Sequence, residues 1–557
     1  MIARAARQVA TSLGAVASVF TNPDVTRLLL AWGATSFALW SLAIALGVYA
    51  FGVGGAAAVG VAGLVRLLPG ALASPFGGLL ADRHSRRATL VASAVVGALV
   101  LAGSALAVVL AAPAATVFAL AGLFTIASSP YIPAEGALFP VVADTPQQLA
   151  AANVAHSAMD NLGFLAGAVL TGVLLATTTI QVALAVAAFA CLVAAALLAS
   201  LGRDHRPVYA RDGEARGALR EAALGARALL DEPDLRVVGG ILTLLVFFEG
   251  AADVLVVVLA LDLLDLGSGS VGFLNAAWGV GALLGGAGVA LLLDRGRLPL
   301  GLLAGSLLAG VAMALPGIWV AAAVAYLAWA GVGAGYTLVE CVARTLSQRL
   351  GSDETLARAL GFLETSRLLA MALGSIAAPA LVALLGARGA LIALGAVLPA
   401  HAILRWAALR SVEIGAPVDE GRYSLLRGDP IFAPLPVDAV EGLSRDLVAV
   451  GVPAGGQIIT QGERGDRFYL IEAGEVAIYE DQVLCHHASA GGSFGEIALI
   501  RDVPRTATVR ATCETRLLAL ERRRFIAAVT GHRRSHEAAR AVAATRLSGP
   551  PDPPPGA

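Results

Sequence analysis

Apolar runs recur from Leu28 to about Ala408, each long enough for the ~20 residues that cross a bilayer as a helix. A backbone in hydrocarbon must satisfy its own polar groups, so such runs have to fold as a bundle of helices. The composition agrees: 57% of the 557 residues are hydrophobic and 14% charged, against ~25% charged in soluble domains. Twelve spans are predicted, at roughly 25–50, 55–80, 88–110, 115–140, 148–175, 179–201, 237–262, 268–293, 299–316, 318–346, 357–384 and 387–409. The polar stretch 202–236 parts them into two sets of six.

Every basic side chain in the chain is arginine, and the arginines are unevenly placed. One set of connections holds Arg83, Arg86 and Arg87, then Arg203 to Arg236, Arg295 and Arg297, Arg349 and Arg358. The opposite set holds only Arg388, near the last hairpin. Positive loops stay in the cytoplasm, so both termini are expected there, in a bacterial plasma membrane. No cleavable leader is evident ahead of Asn22-Pro23. The cysteines and the eight histidines are scattered without metal-ligand spacing, so no metal site is expected.

The loop GLLADRHSRR, 78–87, carries an aspartate and clustered arginines at a helix end. It resembles the loop signature of the major facilitator superfamily, with Gly78, Asp82, Arg83, Arg86 and Arg87 in place and Ser85 where a second glycine is usual. The resemblance implies a transporter of two six-helix halves, with these residues as a latch that re-pairs between states. LLLDRGR, 291–297, echoes it in the second half through Asp294 and Arg295. The stretch 131–172 is similar to the drug- and siderophore-export branch. Within it Gly163, Gly167 and Gly172 match the fifth-span exporter motif, whereas Ala168 and Thr171 depart from it. That implies export of a small molecule and leaves the coupling ion open.

Charge at mid-bilayer is costly and points to a pathway or a buried pair. Glu249 and Asp253 are four apart on one helix face, with Glu249 ~18 Å from the cytoplasmic end at 1.5 Å per residue. They suit a proton carrier or a cationic substrate. His156 and Asp160 form a second such pair in the fifth span. Helix packing is the alternative for both. Glu340 with Arg344, and Glu364 with Arg367, read as salt bridges nearer the cytoplasmic ends, and Arg66 as a partner for an acidic substrate or a neighbouring carboxylate.

After Arg410 the oily character ends. The expected division is an N-terminal segment 1–24, helical halves 25–201 and 237–410 about the loop 202–236, a linker 411–430, a soluble domain 431–547 and a disordered tail 548–557. The soluble part has short alternating strands, RFYLI and EVAIY, about the turn EAGE. Its stretch GGSFGEIALIRDVPRTATV, 491–509, resembles the phosphate-binding cassette of the cyclic nucleotide-binding domain family. The implied fold is a cytosolic β-roll with flanking helices, making the whole chain mainly α. The resemblance assigns Gly495, Glu496, Ile497, Ala498, Arg505, Thr506 and Ala507 to the ligand: Glu496 to the ribose hydroxyl, Arg505 to the phosphate. A glycine lets backbone approach the ligand, helix N–H groups face an anion, and a guanidinium forks onto its oxygens.

The resulting expectation is a non-enzymatic exporter in a lipid bilayer, regulated by cyclic AMP, with cyclic GMP as the alternative ligand. No other cofactor and no nucleic acid partner is expected, and the oligomeric state, monomer or dimer, stays open. A receptor or scaffold that senses the nucleotide without transporting is the competing reading.

Overall fold

The computed structural model describes residues 19, 21–143, 146–202, 226–227, 233–293, 298–350, 353–411, 419–435, 437–531 and 533–547; for 74–83, 348–350 and 353–365, among others, it describes the backbone alone. The chain divides into two compact units, residues 1–412 and 413–557.

The first unit is wholly helical among the described residues. Its helices are α1 (Pro23–Arg83), α2 (Arg86–Val109), α3 (Ala114–Ser128), α4 (Tyr131–Val142), α5 (Pro146–Thr177) and α6 (Ile180–Ala199) in the first half. The second half has α7 (Pro233–Val258), α8 (Gly269–Leu293), α9 (Leu298–Ile318), α10 (Ala322–Leu350), α11 (Asp353–Leu404) and the short α12 (Trp406–Ser411). A single π turn, Leu259–Leu263, extends α7. Ten helical stretches are long and apolar enough to cross a membrane. Two of them are broken: α1 at Gly54–Gly55, where Gly55 has φ +61°, and α11 at Gly386, where φ is +71°. Only glycine enters that left-handed region without a steric cost, so these residues end one span and start the next. Leu46 and Gly47 before the first break line the same cavity as Val59 and Ala62 after it, so the chain folds back on itself there. Counting segments on either side of the breaks recovers the twelve apolar spans of the sequence.

Close packing of small residues holds the bundle together. Gly163 of α5 sits against Ser36 and Gly33 of α1, and Gly172 meets Gly269 and Gly272 of α8 across the two halves. Small residues allow helices in lipid to approach until backbones touch, and the resulting van der Waals contacts act where no hydrophobic drive exists between helices. One end of the first half is tied by charged side chains. Asp24 pairs with Arg27 at 3.1 Å and accepts the Gly202 N–H at 3.0 Å, and Arg27 donates to the Ser200 carbonyl at 2.9 Å.

The second unit begins with α13 (Glu420–Gly428) and α14 (Val437–Asp446), continues through eight strands, and ends with α16 (Arg522–Gly531) and α17 (Arg533–Leu547). The strands are β1 (Val448–Val452), β2 (Gln457–Ile459), β3 (Arg467–Ala473), β4 (Glu475–Glu480), β5 (Val483–Ser489), β6 (Ser493–Phe494), β7 (Thr508–Ala511) and β8 (Thr515–Glu521), with α15 (Glu496–Arg501) after β6. They form two antiparallel sheets of order β1-β8-β3-β6 and β2-β7-β4-β5. The EAGE turn is therefore not a hairpin. Gly474, with φ +98°, turns the chain from β3 in one sheet to β4 in the other. The pairing hairpin is β4–β5, closed by Asp481 and Gln482 at φ +47° and +67°. Phe432, Phe468 and Phe525 cluster with ring centroids 4.9–5.9 Å apart and join the leading helices, the sheet and α16 into one core. The Ser535 hydroxyl donates to the Ile431 carbonyl at 2.6 Å, fastening α17 to the start of the unit.

Candidate functional site

The cassette in the second unit is built around one arginine. β6 ends at Phe494, and Gly495, at φ +91°, turns the chain into α15. A β-carbon there would lie 2.8 Å from Nη1 of Arg505 and 3.2 Å from the Arg467 carbonyl oxygen, so a side chain would displace the guanidinium as well as strain the backbone. Glu496, the first residue of α15, is 1% exposed, with Ala498 and Leu499 also buried and Ile497 partly so. Arg505 is 5% exposed. Its Nη1 donates to the Gly495 carbonyl at 2.9 Å, and its Nη2 donates to the Arg467 carbonyl at 2.7 Å and to Asp466 Oδ1 at 3.3 Å. The Arg505 N–H donates to the Glu463 carbonyl at 2.7 Å, and the Gly462 N–H to the Arg505 carbonyl at 2.9 Å. Thr506 and Ala507 follow, half-buried, on the way to β7. All seven predicted residues thus belong to one loop–helix–loop unit. A guanidinium held by carbonyls and one exposed carboxylate keeps its charge in a fixed place, which is what an anion receptor requires. Asp466 and the Arg467 carbonyl carry no anion-binding signature in sequence; only the fold brings β3 beneath the cassette.

In the first unit, Glu249 and Asp253 of α7 face distinct partners. Glu249 Oε2 accepts the Tyr336 hydroxyl at 2.6 Å and pairs with Arg367 Nη2 at 3.2 Å. Arg367 also reaches Glu340 Oε1 at 3.4 Å, and Arg344 meets that oxygen at the same distance. Asp253 Oδ2 pairs with Arg66 Nη2 at 3.6 Å. The two acids nevertheless share a cavity with Trp40, Phe164, Trp278 and Trp329. Arg66 thus has a neighbouring carboxylate, and Arg367 bridges α11 to both α7 and α10; Glu364 lies outside the described side chains.

His156 and Asp160 take different hydrogen-bond partners. His156 Nε2 lies 3.1 Å from Oε2 of Glu135, a residue of α4 that is 1% exposed, and its ring stacks on Trp32 at 4.9 Å. Asp160 Oδ1 accepts the Ser36 hydroxyl at 2.9 Å. Glu135 and Trp32 were not singled out by spacing, because their neighbours come from other helices. Of the latch residues, Arg86 donates to the Ala137 carbonyl, and Arg87 to the carbonyls of Leu201, at 2.8 Å, and Ala199. The side chains at Gly78, Asp82 and Arg83, and all of Asp294 and Arg295, lie outside the described residues.

The family model for the Major Facilitator Superfamily matches residues 28–353, and that for the cyclic nucleotide-binding domain matches residues 450–532. A cAMP-dependent protein kinase regulatory subunit from Yarrowia lipolytica is 37% identical over 106 residues, 19% of this chain and 28% of that protein. The chain therefore spans little more than a quarter of that relative's length. The chain is also similar to solved structures. The sensor domain of the transcriptional regulator DNR from Pseudomonas aeruginosa shares 24% identity at a TM-score of 0.21, covering 22% of this chain and 92% of that one. The Thermus thermophilus Catabolite Activator Protein shares 26% at 0.20, covering 22% and 59%.

Proposed function

The chain belongs to the Major Facilitator Superfamily and carries a cyclic nucleotide-binding domain, and on that premise we propose that it is an exporter of a small molecule whose cycle is biased by cyclic AMP. The observation that carries the regulatory half is the fixed guanidinium of Arg505 beside Gly495 and buried Glu496. Phosphate engages Arg505 and the N–H groups that open the cassette, and the ribose hydroxyl engages Glu496. Cyclic AMP is preferred over cyclic GMP because the 37% identical relative is a cAMP-dependent regulatory subunit.

For the membrane unit, the acids of α7 beside an aromatic cavity support a translocation path, and the glycine pattern of α5 supports export. The arginines at one end of the first half support cytoplasmic termini, in a bacterial plasma membrane. No step of this cycle makes or breaks a covalent bond in the substrate, so the protein is not an enzyme. Regulation requires the nucleotide to bind one transport state more tightly than the other. A tenfold preference corresponds to ~1.4 kcal/mol, within the usual range of allosteric coupling.

Calorimetric titration of the purified full-length protein with cyclic AMP and then cyclic GMP tests the sensor. Binding of cyclic AMP that is roughly tenfold or more weaker in Arg505→Ala supports it. Heat from neither ligand refutes it. Flux into proteoliposomes that is identical with and without bound nucleotide would refute regulation while leaving the sensor intact.

A further inference from the structure

Arg66 and Asp253 come from opposite halves of the bundle: Arg66 from the second segment of α1, Asp253 from α7. Both line a cavity of about 40 Å³ with Trp40, Asn275 and Ser375. Asp253, Trp40 and Asn275 also line a cavity of about 20 Å³ that includes Glu249, Trp278 and Trp329. Spaces of that size hold only a few waters, so the two halves pack closely here.

Resting on the transporter reading above, alternating access rocks one half against the other around a site at their interface. The two ion pairs of α7 then meet different fates. Glu249, Arg367 and Tyr336 all belong to the second half, on α7, α11 and α10, and move together. Arg66 and Asp253 separate. That leaves one guanidinium on the first wall and one carboxylate on the second. Water solvates both groups while the site is open, but closing the site on a substrate that leaves either charge unpaired is costly. A purely cationic ligand would satisfy Asp253 and strand Arg66; a purely anionic one would do the reverse.

We propose that the transported substrate is a small zwitterion with an apolar or aromatic body. Its cationic group replaces Arg66 on Asp253, its anionic group replaces Asp253 on Arg66, and its body lies against Trp40, Trp278 and Trp329. The close spacing of the two charged side chains, 3.6 Å, fits a substrate whose opposite charges are near neighbours, as on an α-amino acid. Both protein charges are then compensated whenever the site is closed, with substrate or without it.

The test uses matched probes that differ only in charge: tryptamine, indole-3-propionate and tryptophan, and phenethylamine, 3-phenylpropionate and phenylalanine. Binding to full-length protein in detergent is read by thermal shift and by calorimetry. At least one zwitterion is expected to bind at least tenfold more tightly than its amine and its acid. Arg66→Gln and Asp253→Asn should each weaken it tenfold or more. Either single variant strands a charge, so the double variant, which strands none, serves as the folded control and should also fail to bind. An amine that binds as tightly as its zwitterion and is unaffected by Arg66→Gln overturns the proposal, and so does the absence of binding by both zwitterions. A zwitterion that binds but is not moved across proteoliposomes would leave this site standing and refute the transporter reading. Zwitterion flux untouched by Arg66→Gln would do the opposite.

Discussion

The hydroxyl of Tyr336 lies 2.6 Å from Oε2 of Glu249, the same oxygen that Arg367 reaches at 3.2 Å. One carboxylate oxygen thus joins α7, α10 and α11. Because Glu249 is 8% exposed, removing its cation leaves a poorly solvated charge. Arg367→Gln should destabilise the protein by about 3 kcal/mol, and the Glu249→Gln/Arg367→Gln double variant by distinctly less. Thermal unfolding of the three variants in detergent gives the coupling directly. Additive losses would mean that the pair is not a unit.

His156 meets Glu135 of another helix directly, whereas the Asp160 carboxylate accepts from Ser36. A double-mutant cycle on Glu135→Gln and His156→Gln should therefore show coupling of about 0.5–3 kcal/mol, whereas His156→Gln with Asp160→Asn should be closer to additive. The reverse ranking would restore the pairing suggested by the four-residue spacing.

Arg505→Ala should weaken cyclic nucleotide binding by roughly tenfold to a hundredfold, the worth of about 1.5–3 kcal/mol for a hydrogen bond to a charged group. It should also lower the melting temperature of the second unit, since the same side chain binds two carbonyls. Calorimetry at saturating protein stability, with Arg505→Lys as the charge-conserving control, separates the two effects.

Gly495→Ala should cost about 1–2 kcal/mol for the left-handed backbone alone. The new methyl, 2.8 Å from the Arg505 guanidinium, should additionally push that group out of place. Weaker nucleotide binding together with reduced stability is the expected result, read by calorimetry and thermal shift. Unchanged binding would show that Arg505 can move without loss.

Two adjacent glycines of α8 give opposite expectations. A β-carbon at Gly285 would lie 2.9 Å from Cα of Ala334 on α10, while one at Gly286 would meet nothing within 4 Å. Gly285→Ala should lower the folded yield and melting temperature. Gly286→Ala should be neutral or stabilising, by up to about 1 kcal/mol of helix propensity. Equal behaviour of the two would deny the close α8–α10 crossing.

The spans and the cassette were legible because each is written locally. A bilayer demands an unbroken apolar run, and the cassette keeps Gly495, Glu496 and Arg505 within eleven consecutive residues. The polar partnerships inside the bundle were not legible. Spacing correctly placed Glu340 and Arg344 together, because helical neighbours four apart meet whatever surrounds them. It could not show that His156 also meets Glu135, because that neighbour lies on another helix. The same holds for Arg66, whose partner is 187 positions away in the chain. Periodicity says which face a residue occupies; only packing says who stands opposite. The EAGE corner is a further case, since one left-handed glycine serves a hairpin and a change of sheet equally well.

The absence of lysine has a consequence for how these pairs can open. The described cations facing Glu249, Asp253 and Glu340 are all guanidiniums, and a guanidinium keeps its proton at any pH a cell experiences. A proton can therefore loosen these bridges from one side only, by landing on the carboxylate. At these bridges the acids are the groups that can change charge, and the arginines keep theirs wherever the helices carry them.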